Sequence, residues 1–128
     1  MATKKTTTQR TFRWVRPEQD HALLDSSKNP DEWYPIPDFD DYEVNGYGEV
    51  RNKKFDRIIR QHAQPNGFIK VNLYTKGMKF GLTTHRVVAS IFLKDYQEGI
   101  QVEHKDLDRT NNAYDNLAMG NRRVRGLG

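Results

Sequence analysis

The residues best suited to chemistry lie in one segment, residues 102–117, which reads VEHKDLDRTNNAYDNL. It places a carboxylate, Glu103, directly before an imidazole, His104, and continues into a loop rich in carboxylates and amides. A hard divalent cation prefers oxygen ligands, and a neighbouring imidazole can take a proton from a water molecule. Asn and Asp side chains can also hold such a loop by bonding to its backbone. The segment therefore fits metal-assisted hydrolysis of a phosphodiester.

Short strands must position this segment, because the preceding chain has runs of β-branched and aromatic residues broken by Gly, Pro and Asn. The predicted strands cover residues 42–45, 49–52, 55–61, 68–74 and 78–82. Within 68–74, Lys70 and Asn72 alternate with apolar residues, which predicts one buried face and one solvent-exposed face. Lysines on the solvent-exposed face are available to phosphates.

One helix is predicted between these strands and the chemical segment. Val87, Val88, Ile91 and Phe92 fall at helical spacing behind Thr83-Thr84, which predicts a threonine N-cap. A short apolar and polar alternation at residues 100–104 follows. The fold class is therefore α+β, a small antiparallel sheet region packed with a helix. Residues 1–30 are predicted to be a flexible basic arm, residues 31–82 a strand-rich region, and residues 83–128 the helix with the segment at 102–117.

The charge is distributed unevenly, although the net charge is only +4. Residues 1–16 carry five basic and no acidic groups, residues 17–49 one and ten, residues 50–94 ten and one, and residues 95–128 five and six. A basic middle between acidic stretches fits either a surface that faces a polyanion or ordinary solvated charge. The chain has no cysteine, no run of 18 apolar residues and no signal-like start. These features exclude a disulfide scaffold and predict a reducing cytoplasm, with no membrane contact.

Three groups of residues, in chain order, resemble the motifs of phage-type HNH homing and nicking endonucleases. The first group resembles the NUMOD4 module, which is often fused ahead of such nucleases. It consists of Trp33, Ile36, Tyr42, Glu43, Val44, Gly48, Val50, Arg51, Gly67, Phe68, Val71 and Leu73. The helix that precedes the HNH motif is resembled by residues 85–89, HRVVA. The HNH motif itself is resembled by Val102, His104, Asp106, Asn111, Asn112, Asn116 and Leu117.

The resemblance implies a ββα-metal (His-Me finger) motif that cleaves duplex DNA. It implies that His104 is the general base, that Glu103 is an acidic ligand for Mg²⁺ or Mn²⁺, and that Asn116 braces the histidine-bearing loop. It implies no small-molecule cofactor besides the metal. His85 and Arg86 are interpreted as supporting residues. His85 either contacts a phosphate at the helix N-terminus or bonds to the adjacent loop.

Three positions depart from the family pattern. Glu103 is one methylene longer than the usual Asp or Asn, and Leu107 replaces a glycine, which strains the chain if the turn needs positive φ. The last metal ligand would fall at Arg125, and a cation there repels a metal. Asn121 is the nearest residue of ligand type, but it lies four residues too early. The last helix is therefore predicted to be shortened or degenerate.

Two functions from different classes follow: an HNH endonuclease, and a catalytically degenerate relative that binds DNA as an accessory or regulatory protein. A protein-binding module without affinity for DNA is a third. Double-stranded DNA is the predicted partner of the first two. The predicted DNA contacts are Arg51, Lys53, Lys54, Arg57, Arg60, Lys70, Lys76, Lys79, Arg86, Arg122, Arg123 and Arg125.

Overall fold

The structure is a computed structural model that describes residues 24–123, with side chains described for residues 24–120. The predicted flexible arm therefore lies mostly outside the described residues. Within them, strands dominate and one α-helix is present. The predicted α+β class is confirmed at this level.

The first sheet has four antiparallel strands in sequence order. They are β1 (Tyr34–Ile36), β2 (Phe39–Val44), β3 (Val50–Asn52) and β4 (Arg57–Ile58). Val44 pairs with Val50, and neither is exposed, so the predicted strands at 42–45 and 49–52 are confirmed. The sequence analysis missed β1 because Pro35 reads as a breaker. Proline is tolerated there because β1 lies at the edge of the sheet, where an N–H is not needed.

The second sheet has three antiparallel strands, again in sequence order. They are β5 (Gln61–Ala63), β6 (Ile69–Thr75) and β7 (Met78–Thr83). Positive φ angles of 53° at Lys76 and 76° at Gly77 form the tight turn between β6 and β7. Val71 and Leu73 are fully buried, which confirms the predicted alternation. The single strand predicted at 55–61 is wrong, because β4 and β5 divide this run and belong to different sheets.

The helix α1 (Thr84–Phe92) confirms the helical prediction, and its apolar face packs on the sheets. Its N-cap residue is Thr83, but no side-chain hydrogen bond caps the helix, so the predicted threonine cap is wrong in mechanism. Instead, the Thr84 hydroxyl donates to Gln61 Oε1 at 2.6 Å and ties the helix start to β5. Within the described residues, no helix combines the length and apolar character needed to cross a membrane.

The segment at residues 102–117 lies in a hairpin. Strand β8 (Ile100–His104) pairs with β9 (Leu117–Arg123), and a single 3₁₀ turn (Tyr114–Asn116) leads into β9. Leu117 pairs with His104 and is fully buried. The predicted last helix lies beyond Arg123 and so falls outside the described residues. The ββα-metal arrangement of this hairpin stays a prediction.

One core joins all of these elements. It contains Val44 and Val50 from the first sheet, Val71 from the second, Phe92 from α1 and Leu117 from the hairpin, each without exposed surface. Burying side chains of this size contributes roughly 1.5–3 kcal/mol each. The N-terminal sheet and the hairpin therefore stabilise each other.

The turn at residues 45–49 is a second point of contact between the N-terminal sheet and the hairpin. The Gly46 N–H donates to Pro30 O at 2.8 Å, and the Tyr114 N–H donates to Gly46 O at 2.6 Å. The Asn45 amide oxygen accepts the N–H groups of Tyr47 and Glu49. The turn is therefore held from both sides, with Tyr114 lying just before the asparagine of the 3₁₀ turn.

Gly46→Ala should destabilise the protein by about 1–3 kcal/mol, the usual cost of overpacking. A Cβ there would lie 2.4 Å from Pro30 Cβ and 2.7 Å from its Cα, so the backbone itself must move. Chemical denaturation measures the effect. Gly81→Ala is the control, because its nearest neighbour, at 3.3 Å, is the flexible Lys70 side chain. Equal stability of the two variants would contradict this packing.

Candidate nuclease site

The His104 imidazole lies at the end of β8 and is only 7% exposed. Its Nε2 is 2.7 Å from Asn112 Oδ1. Because an amide oxygen only accepts, Nε2 carries the hydrogen in this contact. In the neutral ring the lone pair is then on Nδ1. The geometry therefore assigns the basic nitrogen of His104.

Asn112 is itself buried and is supported by the turn at 45–49. Gly48 has a φ of +89°, and a Cβ there would lie 3.3 Å from Asn112 Cβ. The Gly48 carbonyl accepts a hydrogen bond from the Gln61 side chain at 2.7 Å. Gln61 in turn accepts from Thr84 at the start of α1. A continuous series of contacts thus connects the first turn of the helix to the amide that holds His104.

The Asn116 side chain forms hydrogen bonds across the loop that follows His104. Its Nδ2 donates to Asp106 Oδ1 at 2.9 Å and to Asn111 O at 2.8 Å. Its Oδ1 accepts the Asp106 N–H at 3.2 Å. Burial alone would raise the pKa of Asp106, but hydrogen bonds from Asn111, the Asp108 N–H and Asn116 lower it below its ordinary value. The loop is therefore anchored on an ionised carboxylate.

Leu107 occupies the position where the family pattern has glycine. Its φ is +66°, in the left-handed region, and its side chain is 88% exposed. The steric strain predicted for this position is therefore present, since a leucine Cβ is unfavourable there. The exposed side chain contributes little burial to offset it.

Aromatic rings cover one side of His104. The His85 ring lies 5.0 Å from the His104 ring, and the Phe68 ring lies 6.0 Å from it, between centroids. Phe68 and His85 are stacked at 4.8 Å with an interplanar angle of 16°. The Arg109 guanidinium carbon lies 4.3 Å from the Phe68 ring centre. We call these four side chains the ring cluster.

His85 is the most buried titratable group of the ring cluster. It is 6% exposed, and its Nδ1 has no hydrogen-bond partner among the described residues. The predicted hydrogen bond to the adjacent loop is therefore not formed by this nitrogen. Burial lowers the pKa of His85 to about 3, with smaller contributions from His104, Arg86 and Arg109. The ring is therefore neutral at physiological pH.

Glu103 does not lie in the same pocket as His104. Neighbouring side chains on a strand point to opposite faces, and Glu103 is exposed whereas His104 is buried. The Glu103 carboxylate lies over Gly120, where a Cβ would be 2.7 Å from Oε2. Glu103 and His104 therefore lie on opposite faces of β8. The role of Glu103 as a metal ligand stays a prediction.

The described residues do not by themselves complete a metal site. No three His, Asp or Glu side chains converge among residues 24–120. Both Asp106 oxygens accept hydrogen bonds from asparagine side chains. The side chain of Asn121, the other predicted ligand, lies outside the described residues, although its backbone is in β9. Glu103 alone offers fewer oxygen ligands than a divalent cation requires.

Two of the predicted DNA contacts are engaged within the protein. Arg51 donates to Glu43 at 2.6 Å and lies 4.4 Å from the Trp33 ring centre. Arg86 donates to Ile100 O at 3.1 Å, which ties α1 to the start of β8. Both guanidinium groups therefore have structural partners within the protein.

The remaining predicted contacts are distributed over several surfaces. Lys70 is partly buried on β6, and the exposed cations are Lys53, Lys54, Arg57, Arg60, Lys76 and Lys79. Arg122 and Arg123 lie in β9, with side chains outside the described residues, and Arg125 lies outside them altogether. Lys79 pairs with Tyr74, on the same side of the sheet as Lys70. Lys70 and Lys79 therefore form one cationic face.

Three residues of the site were given no role from sequence. Asn112 belongs to the Asn-Asn pair of the motif, and that pair was the available signal. Phe68 is one of the residues that resemble the NUMOD4 module, but nothing there indicated its contact with His104. Arg109 carried no signal, because its contact joins positions far apart in the chain.

The hairpin, its buried histidine and its asparagine-braced loop lie within a stretch that matches a known family. Residues 83–127 match the HNH endonuclease family, and residues 31–74 match the NUMOD4 motif. The chain is thus related to the phage HNH homing endonucleases and carries a NUMOD4 motif, as the resemblance indicated.

Phage proteins are among its relatives. H-N-H endonuclease F-TflII of Escherichia phage T5 is 30% identical over 86 residues, covering 66% of this chain and 45% of the relative. DNA endonuclease I-HmuI of Bacillus phage SP01 is 32% identical over 87 residues, covering 67% and 50%. A solved structure of the homing endonuclease I-HmuI, described for its DNA binding and cleavage, matches with a TM-score of 0.66 and 31% identity. That match covers 70% of this chain and 52% of the solved one. The chain therefore spans about half the length of these relatives.

His85 should make stability depend on pH in a defined window. Its pKa is about 3 in the fold and about 6.5 when unfolded, so the unfolded state binds the additional proton. The contribution of His85 to the free energy of unfolding is then fully present above about pH 6.5 and is lost as pH falls towards 3. Between pH 7 and pH 5 the loss should be about 2 kcal/mol, at about 1.4 kcal/mol per pKa unit.

Urea denaturation at several pH values measures this loss. In His85→Leu most of the slope of unfolding free energy against pH should vanish between pH 7 and pH 5. The carboxylates whose pKa values are lowered titrate only at lower pH. His62→Gln, at an exposed position on β5, should keep the wild-type slope. A His85→Leu slope equal to that of wild type would refute the assignment.

Proposed function

We propose that this chain is an HNH-type DNA endonuclease that hydrolyses phosphodiester bonds in duplex DNA, by nicking one strand, with His104 as general base. The observation that carries the proposal is the hydrogen bond between His104 Nε2 and Asn112 Oδ1. It leaves the lone pair on Nδ1, the form that a general base needs. The relatives named above are endonucleases, which supports the same reaction.

In this proposal the chain's own residues prepare a proton transfer. His104 Nδ1 removes a proton from the water whose oxygen attacks phosphorus. The bond from phosphorus to the leaving sugar oxygen breaks, and that oxygen takes a proton from solvent. Asn112 keeps the ring in the required tautomer, and Asn116 keeps the following loop in place through Asp106. These residues orient the base before DNA arrives, and orientation is a major part of the rate gain available to such a site.

A divalent metal, Mg²⁺ or Mn²⁺, belongs to the proposal because HNH endonucleases generally depend on one. When bound, such an ion stabilises negative charge on the phosphate. Glu103 and Asn121 are the proposed ligands. Since the described donors do not complete a site, the steps proposed for His104, Asn112 and Asn116 do not pass through the ion.

The cationic face of the second sheet supports DNA as the substrate. Phe68 precedes Lys70 by two residues, so the side of the chain that carries Lys70 leads to the ring cluster beside His104. Tyr74 and Lys79 extend this side towards the hairpin turn. Lysines on such a face neutralise phosphates and position the duplex without reading its sequence. A strand bound along this face would pass close to His104.

One observation favours a second candidate, a degenerate relative that binds DNA without cutting it. No metal site is complete among residues 24–120, and Arg125 falls where the family pattern has its last ligand. An arginine there suits phosphate binding better than metal binding. Both candidates share the cationic face and differ in the chemistry at His104.

A plasmid-nicking assay separates the two candidates. With Mg²⁺ or Mn²⁺ the wild-type chain should nick supercoiled DNA, and His104→Ala should be slower by about 10²–10⁴-fold, the usual contribution of a general base. EDTA should abolish nicking. His104→Ala should bind DNA as tightly as wild type, because the ring is 7% exposed and offers little contact surface. Absence of metal-dependent nicking in wild type, with binding intact, would establish the second candidate.

DNA affinity should fall steeply with salt, and the slope should report the cationic face. Lys70→Gln and Lys79→Gln should each flatten the plot of log affinity against log salt by about 1, because each removes one phosphate contact. Gel shifts between 50 and 200 mM salt, on the order used for such titrations, give the slope. Lys94→Gln, at an exposed lysine just past α1, is the matched control. Unchanged slopes for Lys70→Gln and Lys79→Gln would place the DNA elsewhere.

A further inference from the structure

The NUMOD4 and HNH matches cover separate stretches of the chain, yet the site contains side chains from both. Phe68 lies within the NUMOD4 match, residues 31–74, while His85 and His104 lie within the HNH match, residues 83–127. The Phe68 ring lies 4.8 Å from the His85 ring and 6.0 Å from the His104 ring. A ring from one motif therefore borders the candidate base of the other.

From these contacts we infer that Phe68 is a positioning residue for His104. The inference deepens the proposed function and rests on it only where a cleavage rate is measured. Two constraints are needed to fix an imidazole at the end of a strand. The hydrogen bond to Asn112 fixes the direction of Nε2 but leaves the ring free to rotate about that bond. Rings packed beside His104 restrict this freedom, and those of Phe68 and His85 lie 6.0 and 5.0 Å from it between centroids.

Phe68 is held firmly enough to serve this purpose. Its N–H donates to Asn66 Oδ1 at 3.0 Å, and its carbonyl accepts the Gln64 N–H at 2.8 Å, which fixes the turn before β6. His85 stacks on the ring at 4.8 Å and the Arg109 guanidinium lies 4.3 Å from its centre. Both groups therefore pack closely against the Phe68 ring.

Arg109 closes this arrangement from the HNH loop. Its guanidinium donates to Asn66 O, on the same turn that presents Phe68. Stacking of an arginine on an aromatic ring is attractive and keeps the cation at the surface. The loop that carries Asn111 and Asn112 is thereby attached to the turn at residues 65–67. Phe68 therefore contacts both histidines and the loop that holds them.

The test is a comparison of Phe68→Ala, Phe68→Leu and Phe68→Tyr with Phe80→Ala. Phe80 is the control because its ring also packs on an aromatic ring. Its partner is Phe39, at 5.6 Å between centroids, in a pair separate from the ring cluster. Phe68→Leu keeps most of the apolar volume without the flat ring, and it keeps the test valid if Phe68→Ala fails to fold. Phe68→Tyr restores the ring.

The first measurement is the motion of the His104 ring, from the relaxation of its ring carbons in NMR spectra of the full chain without DNA. Wild type, Phe68→Tyr and Phe80→Ala should show a rigid ring in one rotamer, whereas Phe68→Ala and Phe68→Leu should show a ring that moves between rotamers. A rigid His104 ring in Phe68→Leu would overturn the inference. This measurement needs no cleavage, so it decides the matter even if the proposed endonuclease activity fails.

The second measurement is the nicking rate at saturating DNA. Phe68→Ala and Phe68→Leu should be slower by about tenfold or more, because misplacement by about 1 Å can cost about 10²-fold. Their DNA affinity in gel shifts should stay within about twofold of wild type, since Phe68 is argued to orient His104 and not to bind DNA. Equal rates in Phe68→Leu and Phe80→Ala would overturn the inference. A rate restored in Phe68→Tyr would support it.

Discussion

An imidazole that is to act as a base must be buried enough to be held still and yet keep one nitrogen with a lone pair. This constraint explains most of the contacts around His104. The amide oxygen of Asn112 accepts a hydrogen bond from Nε2, and the turn at 45–49 keeps Asn112 in place through Gly48. That turn is fixed in its own right by Pro30 and Tyr114. Much of the N-terminal sheet thus serves the orientation of a single side chain.

The second histidine gives the site its electrostatic character. His85 lies next to His104 in a position that excludes water, so its pKa is lowered and the ring carries no charge. A charged His85 would repel a proton arriving on His104. The cations near the site, Arg86 and Arg109, are bound through their side chains to a backbone carbonyl of another element. The neutral ring serves as an apolar wall, and the cations are kept at the edges.

Local patterns predicted the local elements, and long-range contacts decided the rest. The spacing of apolar residues placed α1 and β6, and the motif placed His104 and Asn116 in a hairpin with a braced loop. The run at 55–61 was read as one strand because nothing in its composition shows that two sheets divide it. Glu103 was grouped with His104 by adjacency, whereas strand geometry separates adjacent side chains. The contact of Phe68 with His104 spans 36 positions, from 68 to 104, and no periodicity reports it.

The short turn at Lys76-Gly77 affects where two related chains can recombine. The boundary between the two motif matches, after residue 74 and before residue 83, falls inside the hairpin formed by β6 and β7. Recombination at that boundary would join strands from different parents across a continuous set of hydrogen bonds. A transplanted NUMOD4 segment would have to bring a compatible β7 with it. The unit that can be inherited as one piece is therefore larger than either motif.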